Sequence, residues 1–178
     1  MIPSDFCRRW KHSPMIKFRL SSPSAAGLSP ATAAALREYG LPGTAEPWLS
    51  FMEFAAMDRQ VSSAFEMRGL FPVGSLASGS FICIEKKSDR LVIFNPIDPD
   101  ENWLLNSSLD ALFECIFQYD AFIREVNRRN PNYSSDFRIP EGMLSELANK
   151  LTACDPDAIS SQGFWHCELK ALDDSILL

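Results

Sequence analysis

Residues 70–123 decide most of the fold, and they read LFPVGSLASGSFICIEKKSDRLVIFNPIDPDENWLLNSSLDALFECIFQYDAFI. Two apolar runs, SFICIE (80–85) and RLVIFN (90–95), flank the polar turn KKSD, which predicts a hairpin of two strands. A third apolar run follows the loop at 96–101, so we expect a further short strand at 103–105.

The same stretch ends in the strongest helical pattern of the chain, over residues 106–128. Ser107 and Asp110 match the capping pattern of a serine followed three residues later by an acid. An apolar stripe at helical spacing then predicts one buried face. Its members are Leu109, Leu112, Phe113, Ile116, Tyr119 and Ile123.

Other segments follow weaker signals. Ser29 as N-cap, Pro30 in the first turn and Gly40 after the last residue predict a helix over 29–39. We also expect helices at 4–10 (capped by Ser4), 141–152 and 163–178, a strand at 15–20 and a turn or short linker at 21–27. Residues 47–54 fit a strand or an ordered loop, and 57–68 fit a strand or a weak helix. This order predicts an α+β fold, with a twisted, mostly antiparallel sheet and helices packed against it, in one domain over 1–178 with 1–27 as an N-terminal extension.

Composition bounds the function. The 178 residues carry a formal charge of −6, which argues against nucleic-acid binding and suits a basic protein partner. The five cysteines are odd in number and widely spaced, so we expect free thiols in a reducing compartment, with Cys83 and Cys115 buried. The N-terminus lacks the apolar segment of a signal peptide, and no apolar run is long enough to span a bilayer; we therefore expect a cytoplasmic protein without membrane contact.

The sequence offers no convincing catalytic or metal site, so we predict no enzyme, no cofactor and no metal. His166, Cys167 and Glu168 are adjacent, but neighbouring residues on a helix point in different directions. The glycine- and serine-rich segment 74–79 lacks the lysine of a phosphate-binding loop, so a tight bend before a strand explains it better. Since a binding function fits best, we select acidic and aromatic residues as candidates. They are Trp48, Glu53, Asp98, Asp100, Glu101 and Trp103, with the last four forming an acidic lip beside an aromatic anchor.

Several segments together resemble the SUKH superfamily, especially its fourth subfamily. GLSPATAAALREYGLP (27–42) resembles its Leu-Ser-x-x-Thr entry, and FPVGSLASGSFICIEKKSDRLVIFN (71–95) looks like its central hairpin. NSSLDALFECIFQYDAFI (106–123) and LTACDPDAISSQGFWHCELKAL (151–172) are similar to its Asn-Ser-Ser-Leu helix and its Asp-Pro…Phe-Trp closure. Glu85 and the KKSD turn stand where the family more often has Asp and glycine.

The resemblance implies an α+β fold and a non-enzymatic bacterial immunity protein. Such a protein binds and neutralises a cognate toxin, often a nuclease or deaminase, of a polymorphic toxin system. The alternatives are a regulatory scaffold or small-ligand-binding domain on the same fold, and a hydrolase with an unrecognised site.

Overall fold

The computed structural model of the chain describes residues 1–20, 26–54, 59–98 and 102–174. Within them lie seven α-helices and eight β-strands. The helices are α1 (Pro3–Arg9), α2 (Pro30–Glu38), α3 (Arg59–Arg68), α4 (Leu109–Arg129), α5 (Tyr133–Asp136), α6 (Met143–Cys154) and α7 (Phe164–Asp174). The strands are β1 (Met15–Ile16), β2 (Leu41–Pro42), β3 (Thr44–Ala45), β4 (Leu49–Phe51), β5 (Leu70–Leu76), β6 (Phe81–Glu85), β7 (Leu91–Phe94) and β8 (Asn102–Asn106).

Six strands form one antiparallel sheet in sequence order, β3-β4-β5-β6-β7-β8, and β1 pairs with β2 in a separate two-stranded ladder. This confirms the predicted α+β class. Gly74 explains how β5 approaches β4 so closely, because a Cβ there would lie 2.3 Å from the backbone oxygen of Ser50.

Helices cover both faces of the sheet. On one face, α4 carries the fully buried Phe113 and Ile116 into the main core, which it shares with α1, α6 and α7. On the other face, Phe65 of α3 packs with Phe81 and Phe94, at ring-centroid distances of 5.0 and 5.4 Å. The predicted apolar stripe of α4 is confirmed, with Ile123 only partly buried.

The N-terminal residues contribute to the main core. Phe6 on α1 is completely buried, and its ring centroid lies 4.5 Å from that of Phe113. The predicted helix is therefore present, but its predicted cap is wrong. Ile2 occupies the N-cap position and no side chain caps the helix, because Pro3 already begins it.

Three further local predictions need correction. Helix α4 is capped by Ser108, whose side chain accepts a hydrogen bond from the Ala111 backbone, and not by Ser107. The strand at 15–20 ends at Ile16, because its partner β2 is only two residues long. The bend expected at 74–79 is confined to 77–79, since β5 continues to Leu76.

Other local predictions are confirmed or resolved. The hairpin β6–β7 and the cap of α2 by Ser29 are present as predicted. The segment 57–68 is helical from Arg59, and 47–54 contains strand β4. Residues 21–25 of the predicted turn, 55–58 and 99–101 of the acidic loop lie outside the described residues.

Candidate binding surface

The register of the main sheet brings several candidate residues to one end. Trp48 directly precedes Leu49, which pairs with Leu76. One position earlier in β5, Ser75 pairs with Phe81, and from there the row continues through Phe94 to Asn102. Five strand ends therefore lie side by side: the start of β4, the end of β5, the start of β6, the end of β7 and the start of β8.

This end of the sheet exposes large apolar side chains. Trp48 is 71% exposed, Ile97 in the loop after β7 is 92% exposed, and Trp103 on β8 is 37% exposed. They are three of the seven large apolar side chains exposed in the described parts of the chain. Clusters of exposed apolar residues mark interaction sites more often than single ones do. We call the surface formed by Trp48, the turn 77–80, Ile97, Asp98 and Trp103 the exposed end.

The structure places the predicted candidates unevenly. Trp48 and Trp103 share the exposed end but lie on strands that are four positions apart, which corresponds to roughly 19 Å at the usual strand spacing of about 4.8 Å. Asp98 is exposed between them, while Asp100 and Glu101 lie outside the described residues. The carboxylate of Glu53, beyond the far end of β4, accepts a hydrogen bond from the backbone N–H of Arg19, so it fastens the chain after β1 to the sheet.

A groove of about 640 Å³ opens beside Trp48. The carboxylate of Asp120 lies in its wall, where its Oδ2 atom is 3.3 Å from the His12 Nε2 atom and forms an ion pair with Arg124 at 2.8 Å. Neither contact has hydrogen-bond geometry, and Oδ2 has no other partner in the described residues. Glu46 adds a second, exposed carboxylate to the lining.

The exposed end is acidic. The segments 46–49, 75–81, 94–98 and 102–104 that build it contain Glu46 and Asp98 and neither lysine nor arginine. The opposite end of the sheet holds the β6–β7 turn with Lys86, Lys87 and Arg90. That turn also carries Glu85 and Asp89, so its charge is mixed, whereas the segments of the exposed end contribute only carboxylates.

Comparison with known proteins decides the family. The family model described as SUKH-4 immunity protein matches residues 12–171, which is most of the chain. The chain belongs to the SUKH-4 immunity protein family. This confirms the resemblance to the fourth SUKH subfamily that the sequence indicated. No curated protein and no solved structure matches the chain.

In this SUKH-4 protein the adjacent His166, Cys167 and Glu168 do not assemble into a catalytic group. The side chains of His166 and Cys167 are exposed, whereas the Glu168 carboxylate accepts a hydrogen bond of 2.7 Å from the Tyr119 hydroxyl. Burial and the nearby Glu46 carboxylate raise the pKa of Glu168. This hydrogen bond joins α7 to α4, so the Glu168 side chain has a structural role.

Two more absences apply to the described part of this SUKH-4 protein. No three His, Cys, Asp or Glu side chains converge there as metal ligands would. No helix in the same ranges has the length and apolar character needed to cross a bilayer.

Ile97 is the residue at the exposed end that the sequence analysis did not select. Its signal was an isolated apolar residue between two prolines in an otherwise acidic loop. Such a residue has no neighbours at strand or helix spacing to bury it, which is the signal that could have marked it as exposed. Its proximity to Trp103 follows from the β7–β8 pairing, in which Phe94 is the partner of Asn102.

Proposed function

We propose that this SUKH-4 protein binds a cognate toxin domain with the exposed end and neutralises it without catalysing a reaction. The observation that carries the proposal is the grouping of Trp48, Ile97 and Trp103 at one end of the sheet. Exposed tryptophans are common energetic centres of protein interfaces. The family match supports toxin immunity as the biological role.

The dimensions of the exposed end suit one partner. A standard interface buries about 800 Å² on each protein, which corresponds to a disc roughly 32 Å across. The two tryptophans, roughly 19 Å apart by strand spacing, fit within one such disc. A single toxin domain is therefore large enough to contact both.

The charge of the exposed end favours a basic partner. Glu46 and Asp98 lie there without a neighbouring lysine or arginine in the same segments, and the chain as a whole carries −6. Enzymes that act on nucleic acids need basic surfaces to hold phosphates. We therefore propose a nuclease or deaminase toxin of a polymorphic toxin system as the partner, with the acidic end covering part of its basic substrate surface.

The proposal also covers the compartment and the extent of the domain. Free thiols suit the bacterial cytoplasm, where an immunity protein meets its toxin. Because Phe6 packs in the main core, we propose that residues 1–20 belong to the same domain as the rest of the chain.

The direct test is a titration of toxin activity. The toxin domain encoded beside this gene is purified, and its activity on its nucleic acid or nucleoside substrate is measured with increasing amounts of this protein. We expect activity to fall to zero at an equimolar ratio, because a stoichiometric binder removes one toxin per molecule. Undiminished activity at a tenfold molar excess of this protein would reject the proposal.

A second candidate function rests on the groove beside Trp48. Its volume of about 640 Å³ lies within the range of small-molecule sites, which typically measure about 300–1,000 Å³. A ligand-binding or scaffold role would then use the same surface. Native mass spectrometry of the purified protein separates the two functions, since a retained small molecule would favour this alternative.

A further inference from the structure

Two cysteines lie where helix α4 packs on helix α6. Cys115 of α4 is completely buried, and Cys154, the last residue of α6, is half-buried. Their thiols are close enough for a hydrogen bond between them to affect the ionisation of both. The other three cysteines lie on different elements of the chain: Cys7 on α1, Cys83 on β6 and Cys167 on α7.

A buried hydrogen-bond network links Cys115 to the residue next to Cys154. The Asn106 side-chain amide donates to the Cys115 sulfur at 3.4 Å and to the Asp155 carboxylate at 2.9 Å. Asp155 directly follows Cys154 and also accepts a hydrogen bond of 2.7 Å from the Ser107 backbone. The Asn106 amide therefore contacts Cys115 and also holds the residue next to Cys154. As a result, the two cysteine positions are fixed relative to each other.

The pair differs in access to solvent. A groove of about 590 Å³ runs between the first half of α4 and the end of α6, and Cys154 lies in its wall together with Gln118 and Lys150. A molecule as small as a peroxide can reach Cys154 through this groove, whereas Cys115 lies behind it without exposed surface.

The ionisation of the pair follows the same asymmetry. The hydrogen bond from Cys115 lowers the pKa of the Cys154 thiol, although partial burial acts against it. The hydrogen bond to Cys154 and burial raise the pKa of Cys115. Since the thiolate is the reactive form of cysteine, the more accessible thiol is also the more nucleophilic one.

We propose that Cys154 and Cys115 form a peroxide-responsive pair, with Cys154 as the attacking thiol and Cys115 as the resolving thiol. The Cys154 thiolate attacks one oxygen of hydrogen peroxide, the O–O bond breaks, and a sulfenic acid and hydroxide form. Cys115 then loses its proton and attacks the Cys154 sulfur, the S–O bond breaks, and water leaves. The product is a disulfide that joins α4 to α6, with peroxide reduced to water.

The proposal is independent of toxin binding. Asn106, at the end of β8, lies at the opposite end of that strand from Asn102 and the exposed end. Oxidation of the pair is therefore measured on the protein alone, and failure of either proposal leaves the other standing.

The test treats the full chain with hydrogen peroxide and follows it by intact mass and peptide mapping. We expect the mass to fall by two hydrogen atoms and a cross-linked peptide to join Cys115 to Cys154. Cys154→Ser is the main variant because it changes a half-buried residue, and it should abolish this mass loss. Cys167→Ser is the matched control, because it removes an exposed thiol without a described thiol partner and should leave the mass loss unchanged.

Trapping of the intermediate assigns the order of the two steps. With Cys115→Ala, a sulfenic-acid trap such as dimedone should label Cys154, since no resolving thiol remains. Circular dichroism checks that this variant is folded; if it is not, dimedone labelling of the wild type during the first seconds of oxidation provides the same information. Labelling of Cys167 in preference to Cys154, or failure of the 115–154 cross-link to form, would overturn the proposal.

Discussion

Asp155 is a buried carboxylate that fastens the end of helix α6 to the start of helix α4. Its Oδ2 atom accepts hydrogen bonds from the Asn106 side chain and the Ser107 backbone, at 2.9 and 2.7 Å. The side-chain oxygen of Asn106 in turn accepts a hydrogen bond of 3.1 Å from the Trp165 indole N–H. One buried amide thus connects β8, α4, α6 and α7.

Replacement of Asp155 by alanine should be strongly destabilising. The buried Asn106 amide and the partly buried Ser107 N–H lose their acceptor, at a cost of about 1–3 kcal/mol for each unsatisfied group. Urea unfolding should therefore show a loss of roughly 2–5 kcal/mol. Asp136→Ala is the matched control, because that carboxylate is exposed, and its unfolding midpoint should change little. A midpoint for Asp155→Ala equal to that of the control would show that the network contributes nothing.

Glu168 makes the stability of the folded protein depend on pH, and the raised pKa of Glu168 fixes the direction of this dependence. Burial raises its pKa in the folded state above the ordinary carboxyl value, so the folded protein binds the proton more tightly than the unfolded chain does. Its contribution therefore favours folding below the unfolded pKa and is lost as the pH rises through the folded pKa. Glu168→Gln keeps an oxygen that can accept the Tyr119 hydrogen bond and removes the titration.

Unfolding midpoints measured across the acidic and neutral range test this sign. Relative to wild type, Glu168→Gln should gain stability as the pH rises from acid to neutral. A difference between the two proteins that is constant with pH would contradict a raised pKa for Glu168.

Helix α4 contributes many of the buried side chains of the main core. Phe113 and Ile116 are completely buried, and Phe113 also contacts the Phe6 ring. Phe113→Ala or Ile116→Ala should each cost about 2–5 kcal/mol, because each removes buried apolar atoms and leaves a cavity. Asn127→Ala, at an exposed position on the same helix, serves as the control for helix propensity. Unchanged urea midpoints for both core variants would mean that this face is not packed.

The elements that the sequence predicted well are those with local signals. Helix α2 has its serine cap, first-turn proline and following glycine within a few residues, and the structure uses all three. The cap of α4 was assigned to the wrong serine because the deciding contact is not local. Asp155 occupies the Ser107 backbone N–H from 48 positions away, and Ser108 caps the helix. Strand β5 was obscured by Pro72 and Gly74, which are unfavourable in isolated strands but lie here where the register shifts against β6.

At the scale of the whole molecule, the sequence indicated the chemistry of the candidate surface but not its shape. Trp48, Asp98 and Trp103 were selected as an acidic and aromatic set, and the structure places them at the same end of the sheet. The distance between the tryptophans depends on strand order, and no local pattern states that order. Whether these residues contact a toxin stays a prediction.

The acidity of the exposed end predicts how fast a basic partner associates. Changing Asp98 and Asp100 to Asn and Glu101 to Gln should lower the association rate, because electrostatic steering depends on net charge. The effect should shrink as salt is added and shortens the range of the field. Stopped-flow or surface binding at two salt concentrations measures it. Equal association rates for the triple variant and wild type at low salt would show that this loop does not steer the partner.

The most direct test of toxin binding by the exposed end is the dissociation constant between this protein and its toxin domain after both tryptophans of the exposed end are replaced. Interface tryptophans at energetic centres contribute about 2 kcal/mol or more, so Trp48→Ala and Trp103→Ala should each weaken binding roughly 30-fold. Met67→Ala is the matched control, because Met67 is 82% exposed and lies next to the opposite end of β5. We expect a large loss of affinity for the double tryptophan variant and none for Met67→Ala. A double variant that stays folded and binds within about twofold of wild type would contradict the claim that the exposed end binds the toxin.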